Sequence, residues 1–156
     1  TIDTDLDLSL PHEYIPQDSE RILLYRELDE LASDRELKEF ADRLRDRFGA
    51  LPPQTQGLLM VPRLRRLASH LGIVKVSLRR EQMILFLPPS GSAYYQSKAF
   101  DILLKSVASY GKACEVRETR EGHRSVKWHN VTTVYQADKI LSSLYKALFA
   151  RSDQQT

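Results

Sequence analysis

The side chains best placed to do chemistry lie on one stretch, Glu36-Leu37-Lys38-Glu39-Phe40-Ala41-Asp42-Arg43-Leu44-Arg45-Asp46-Arg47-Phe48-Gly49. On a helix, Glu39, Asp42 and Asp46 fall three and four residues apart, on the side opposite the apolar positions. Carboxylates so displayed form reversible ion pairs, with arginines of another surface or along their own helix. The patterns of stronger chemistry are missing from the sequence. It has no G-x-x-x-x-G-K-[ST] phosphate loop and no G-x-G-x-x-G. His12, His70, His123 and His129 are scattered, without the spacing of metal ligands. Ser-His-Asp sets carry no weight without geometry. Cys114, the only cysteine, allows no internal disulfide and reads as a small buried apolar residue in a strand. No cofactor is expected in this chain.

The elements that must position this stretch follow from periodicity. Leu37, Phe40, Ala41, Leu44 and Phe48 recur at i, i+3, i+4, i+7 and i+11, one apolar helical stripe. Ser33 and Glu36 form a capping box, and Gly49 with Pro52 and Pro53 stops the helix. Phe48 is expected in the core. Arg47 is expected on carbonyls at the helix C-terminus. A preceding helix is predicted over 19–32 with Asp18 as its cap. A third is predicted from Pro53 to Leu71, kinked or split at Pro62. Leu6, Leu8 and Leu10 alternate with polar residues, which suggests a short strand.

Beyond residue 72 the period becomes two. Ile73–Leu78 and Met83–Leu87 read as a hairpin. A helix over 95–109 follows, then strands around Val116 and Val126-Lys127-Trp128, then a helix from Val134 to Phe149. The predicted order is αααββαββα. The fold class expected is α+β, an antiparallel four-stranded sheet of two hairpins packed with about five helices. Residues 1–16 read as an extended lead-in or linker, 17–150 as a single domain and 151–156 as a frayed tail. The first residue is not Met, which fits either a piece of a longer protein or a trimmed natural N-terminus. No apolar run reaches the ~20 residues of a membrane helix. With a single cysteine and no visible signal peptide, a cytoplasmic location is expected.

The formal net charge of +2 conceals segregation. Residues 1–50 hold 14 acidic and 7 basic side chains, and residues 51–156 hold 7 acidic and 16 basic. Either the surface is polarised or the two halves fold together and neutralise each other. A polarised surface would allow a nucleic-acid-binding module. Arg63, Arg65, Arg66, Lys75, Arg79, Arg80, Arg117, Arg120, Arg124 and Lys127 would line it, and Tyr94, Tyr95 and Trp128 would stack bases.

Asp46-Arg47-Phe48-Gly49-x-Leu51-Pro52 resembles the D-R-F-G-x-L-P motif in the C-terminal domain of bacterial transcription-repair coupling factors. Tyr14-Ile15-Pro16, Arg21, Tyr25-Arg26-Glu27-Leu28, Leu58-Leu59, Arg63-Leu64-Arg65 and Leu71-Gly72-Ile73 resemble further runs of that domain in the same order. The resemblance covers roughly residues 6 to 149. It implies a non-catalytic regulatory domain of an ATP-driven DNA translocase that displaces stalled RNA polymerase and recruits excision repair. ATP and Mg would belong to motor domains elsewhere in that parent. The domain would dock on an N-terminal module resembling UvrB and mask its UvrA-binding surface. Asp46 matches one acidic docking position of the family. The other, three residues earlier, is Arg43 here, so Asp42 or Glu39 on neighbouring turns would substitute.

Overall fold

The computed structural model describes residues 2–150, so the expected frayed tail at 151–156 lies outside the described residues. Alternating apolar residues over Lys75–Arg79 (β2) and Gln82–Phe86 (β3) pair as an antiparallel hairpin. Its turn residues Arg80 and Glu81 have φ of 54° and 60°. Left-handed pairs of this kind match the twist of the flanking strands and are usually Asn-Gly. Here the Asp5 carboxylate accepts from the Arg80 N–H at 2.9 Å and supports the turn. Cys114–Glu118 (β4) and Arg124–His129 (β5) form the second hairpin.

The sheet differs from the expected antiparallel four-stranded one. It has five strands, because Ile2–Thr4 (β1) adds to β2 in parallel, with Ile2 beside Val76 and Thr4 beside Leu78. The order is β1-β2-β3-β5-β4, a mixed sheet. A three-residue edge strand carries no periodic signal of its own. Its partner lies more than seventy residues away, reached through four helices. The period-two stretch Leu6–Leu10 is not a strand, although its alternation is real. Asp5 and Asp7 are exposed, Leu6 and Leu8 are half-buried and Leu10 is buried. Its backbone bonds a helix instead of a ladder: Ser9 N–H donates to Gln54 C=O, and Thr55 Oγ1 donates to Ser9 C=O at 2.9 Å.

The helices are α1 (Asp18–Glu30), α2 (Asp34–Phe48), α3 (Pro53–Leu58), α4 (Val61–His70), α5 (Lys98–Tyr110) and α6 (Val134–Leu148). Asp18 is the first residue of α1 and not its cap; Gln17 precedes it and makes no side-chain capping bond. The predicted third helix is split at Leu59-Met60, and Pro62 lies in the first turn of α4, where its missing N–H costs nothing. A short 3-10 turn, Ala93–Gln96, occupies the start of the helix predicted at 95. Thr133 and Gln136 form a reciprocal capping box on α6.

Two apolar clusters result. Val76, Leu78, Met83, Leu85, Val126 and Trp128 point to one face of the sheet and bury against α4, α5 and α6. Leu10, Ile15, Leu28, Phe40, Leu44, Leu51 and Leu58 form a second cluster around α1, α2 and α3. Leu8 packs against both. A Cβ at Gly57 would meet its Cδ2 at 2.7 Å, so glycine lets the lead-in lie close to α3.

Candidate docking surface

Helix α2 is fixed at both ends. Ser33 Oγ accepts from Glu36 N–H at 3.1 Å. The Glu36 carboxylate reaches Ala32 N–H at 2.6 Å, one residue before the position a capping box uses. Gly49 ends the helix at φ +91°, which side-chain-bearing residues rarely adopt. Tyr14 closes this end: its OH donates to Gly49 C=O at 2.7 Å, and its ring lies 5.7 Å from that of Phe48. Partial burial pushes the Tyr14 phenol upward from its ordinary pKa. Arg21 donates to Ile15 C=O at 2.9 Å, and the Tyr25 hydroxyl accepts from Leu10 N–H at 2.7 Å. The scattered Tyr14-Ile15, Arg21 and Tyr25 thus brace one corner, a role that spacing alone does not reveal.

The apolar stripe buries Phe40, Ala41 and Leu44, while Leu37 and Phe48 are half-buried. Phe48 is therefore at the margin of the cluster and not in its interior as expected. Glu39, Asp42 and Asp46 are all exposed on the other side. Glu39 is held by Arg35 at 3.3 Å, and Asp42 by Arg45 at 2.9 Å. Asp46 has no ion-pair partner among the described residues, because its neighbours are engaged elsewhere. Arg43 meets Glu27 of α1 at 2.5 Å, and Arg47 meets Glu20 of α1 at 2.5 Å. The expected bond of Arg47 to helix-terminal carbonyls is replaced by this cross-helix pair. Both guanidinium groups also lie over aromatic rings, Arg43 at 5.6 Å from Phe40 and Arg47 at 5.0 Å from Phe48.

Between these two ion pairs lies a groove of about 350 Å³, floored by Leu24, Phe40, Leu44 and Phe48 and edged by Asp46. The surface therefore offers one unneutralised carboxylate beside an apolar depression. Sequence spacing finds the carboxylate. It does not find the groove, which takes its lining from both α1 and α2.

The basic residues considered for nucleic acid are mostly paired within the molecule. Arg63 meets Asp138 at 2.7 Å and Asp34 at 2.5 Å, and Arg66 also bonds Asp34. The Asp138 hydrogen bond, with both carboxylates, holds the Arg63 guanidinium charge more firmly than usual. Arg65 meets Asp29 at 3.4 Å, Arg79 meets Asp3 at 2.7 Å and Arg124 meets Glu118 at 3.3 Å. Glu115 gathers Arg117 at 2.9 Å and Lys127 at 3.8 Å. Acidic side chains of the first fifty residues thus face arginines of the remainder, the neutralising alternative of the charge pattern. Trp128 is 1% exposed, and Tyr94 and Tyr95 pack on Phe100 at 5.5 and 4.8 Å. Trp128 is core, and Tyr94 and Tyr95 are half-buried rings packed against the same cluster. Cys114 is buried, which pushes its thiol up to about 11. Among the described residues, no helix is long and apolar enough to cross a membrane.

The fold is an α+β domain in which a mixed sheet packed by α4, α5 and α6 stands beside a helical cluster whose α2 carries an outward charged side. The sequence model of the TRCF domain matches residues 4–97, more than half of the chain, and the protein belongs to that family. The transcription-repair-coupling factor of Mycobacterium bovis is 43% identical over 76 residues, 49% of this chain and 6% of that protein. Its counterpart from Rickettsia bellii is 24% identical over 144 residues, 92% of this chain and 12% of that protein. The chain therefore spans a small part of the relatives it matches. A crystal structure of the C-terminal domain of a transcription-repair coupling factor superposes with a TM-score of 0.75 at 15% identity, covering all of this chain and 95% of that one. That likeness is one of fold.

Proposed function

We propose that this domain is a non-catalytic regulatory element of a cytoplasmic transcription-repair coupling factor, and that it works by docking. Its partner is the N-terminal UvrB-like module of the same protein, whose UvrA-binding surface it masks while bound. Displacement of RNA polymerase, DNA translocation and the ATP and Mg that drive it belong to other domains of the parent. The observation that carries this reading is Asp46: exposed, without an ion pair among the described residues, and set at the edge of an apolar groove. Glu39 and Asp42 stand on the same side but are already paired on their own helix. They contribute field, and they can exchange partners at little cost because exposed pairs are weak. A polar contact of this type gives orientation and ready release, which suits a clamp favoured by a few kcal/mol. Family membership supports the reading as well.

The test is charge reversal. Asp46→Arg is expected to leave the unfolding midpoint within about 0.5 kcal/mol of the parent, as for an exposed surface position. It is expected to weaken binding of the separately produced UvrB-like module about tenfold or more by calorimetry. Unchanged binding would remove Asp46 from the contact.

A further inference from the structure

The sheet ends in two edge strands, the three-residue β1 and the five-residue β4, in the order β1-β2-β3-β5-β4. The phase of the β4 hydrogen bonds can be read from the neighbouring turn. Thr119 N–H donates to His123 C=O at 2.9 Å, and Leu87 N–H donates to Arg124 C=O at 2.9 Å. In an antiparallel ladder the direction of the backbone groups alternates residue by residue. Glu115 and Arg117 therefore turn their N–H and C=O toward β5. Cys114, Val116 and Glu118 turn theirs outward.

Read in reverse, the charges of this edge exchange sign about Val116, with Glu115 on one side and Arg117 on the other. An antiparallel strand with its two-fold axis at Val116 sets Glu115 opposite Arg117 of the second copy, and Arg117 opposite Glu115 of the second copy. Two opposite-charge pairs then form on the open face of the sheet, with no like charges directly opposed. On the other face Val116 meets its own symmetry mate. The outward-facing backbone of Val116 makes it a hydrogen-bonded pair on the axis, and on either side Glu118 N–H donates to Cys114 C=O of the other copy, while the Cys114 N–H stays on Gly111 C=O. Charged residues on an edge normally repel incoming strands. Here they select one: the same strand, inverted.

The helical face at this edge is also apolar and incompletely covered. Val116 is 50% exposed, and Leu104 of α5 is 44% exposed. They border a cavity of about 180 Å³ floored by Phe100, Leu103 and Val126. A second β4 brings a second Val116 and Leu104 against this opening. The site lies beyond residues 4–97, the part matched by the family, and on a different element from the α2 surface.

We propose that β4 is a self-association edge, through which two copies of this chain join their sheets into one continuous antiparallel ladder. The interface is isologous, as two-fold symmetry requires. It is short, so the dimer is a weak, concentration-dependent one.

Sedimentation equilibrium of the 156-residue chain tests this between about 10 µM and about 1 mM, the range expected for a small interface. The expected result is an apparent mass rising toward twice the monomer. Val116→Lys puts two like charges on the axis, and Glu115→Arg or Arg117→Glu sets like charges opposite one another. Each is expected to weaken association about tenfold or more. The decisive arm is the equimolar mixture of Glu115→Arg and Arg117→Glu chains. Across the axis their charges are complementary again, so the mixture associates while each alone does not. A chain that stays monomeric at the highest concentration, a Val116→Lys variant that associates as before, or a mixture that remains monomeric overturns the proposal. Amide spectra confirm that each variant is folded. If Glu115→Arg is not, the exposed Val116→Lys position carries the test.

Discussion

The helical cluster around Phe40 and the sheet cluster around Trp128 are stabilised by different means. In the sheet cluster, alternate residues of three adjacent strands are sealed by three helices, and the interior is continuous. In the helical cluster α1 contributes only Leu28 to the fully buried set, while Ile22 and Leu23 stand 52% and 61% exposed. What α1 lacks in burial is offset at its rim by pairs to α2, Glu27–Arg43 and Glu20–Arg47, and by the hydroxyl of Tyr25. The clusters are then tied together by charge: Asp34 at the start of α2 bonds Arg63 and Arg66 of α4. The region that presents the candidate docking surface is thus the one held more by polar rim contacts than by apolar depth. Such regions open at lower free energy than a sealed core. The proposed docking, which requires grip and release, is better served there than on the sheet body.

Paired truncations give the largest expected effects. Trp128→Ala and Phe40→Ala each remove a ring that is 1% exposed, and each is expected to cost about 3–5 kcal/mol in urea unfolding. Followed by tryptophan fluorescence and by far-ultraviolet dichroism, Phe40→Ala should shift both signals together if the clusters unfold as one unit. A dichroism change that precedes the fluorescence change would show the helical cluster opening separately. Phe48→Ala is expected to cost less, about 1–2 kcal/mol, because the ring is half-buried. A loss as large as that of Phe40→Ala would place Phe48 in the interior after all.

The charged tie between the clusters is next. Asp34→Asn removes the shared carboxylate of Arg63 and Arg66, and about 1 kcal/mol is expected from an exposed pair network. Amide exchange should accelerate in α1 and α2 and not in β3 and β5. Uniform acceleration would mean that the tie serves the whole molecule. The smallest effect is expected at β1. Arg79 bonds the Asp3 carboxylate and lowers its pKa below the ordinary 3.8. A carboxylate depressed in the folded state contributes above its unfolded pKa and loses that contribution as pH falls through the folded value. Exchange at Asp5, whose N–H donates to Leu78 C=O, should therefore rise relative to β3 below about pH 3.8, and Asp3→Asn should abolish that pH dependence.

Much of the candidate site was legible in the sequence. The helical phase of Leu37–Phe48 placed Glu39, Asp42 and Asp46 outward, and Ser33 and Gly49 marked its ends. The partners of Arg43 and Arg47 were not legible, since Glu27 and Glu20 are no nearer in spacing than several other carboxylates. Nor was the half-burial of Phe48, which depends on how α1 and the Tyr14 segment close over the end of α2.

Residue order by itself determined what neighbours in the chain can settle: where α2 begins and ends, a split of the third helix close to Pro62, the β2–β3 hairpin and the side on which each carboxylate points. These rest on interactions spanning four residues or fewer, or on a turn whose two strands adjoin it. Tertiary structure alone decided that Ile2–Thr4 joins β2 in parallel and that β5 lies between β3 and β4. It also decided that Asp34 and Asp138 neutralise the arginines of α4. Such pairings join residues tens of positions apart, where no local preference acts. They are fixed only by which surfaces can be buried against one another at the same time.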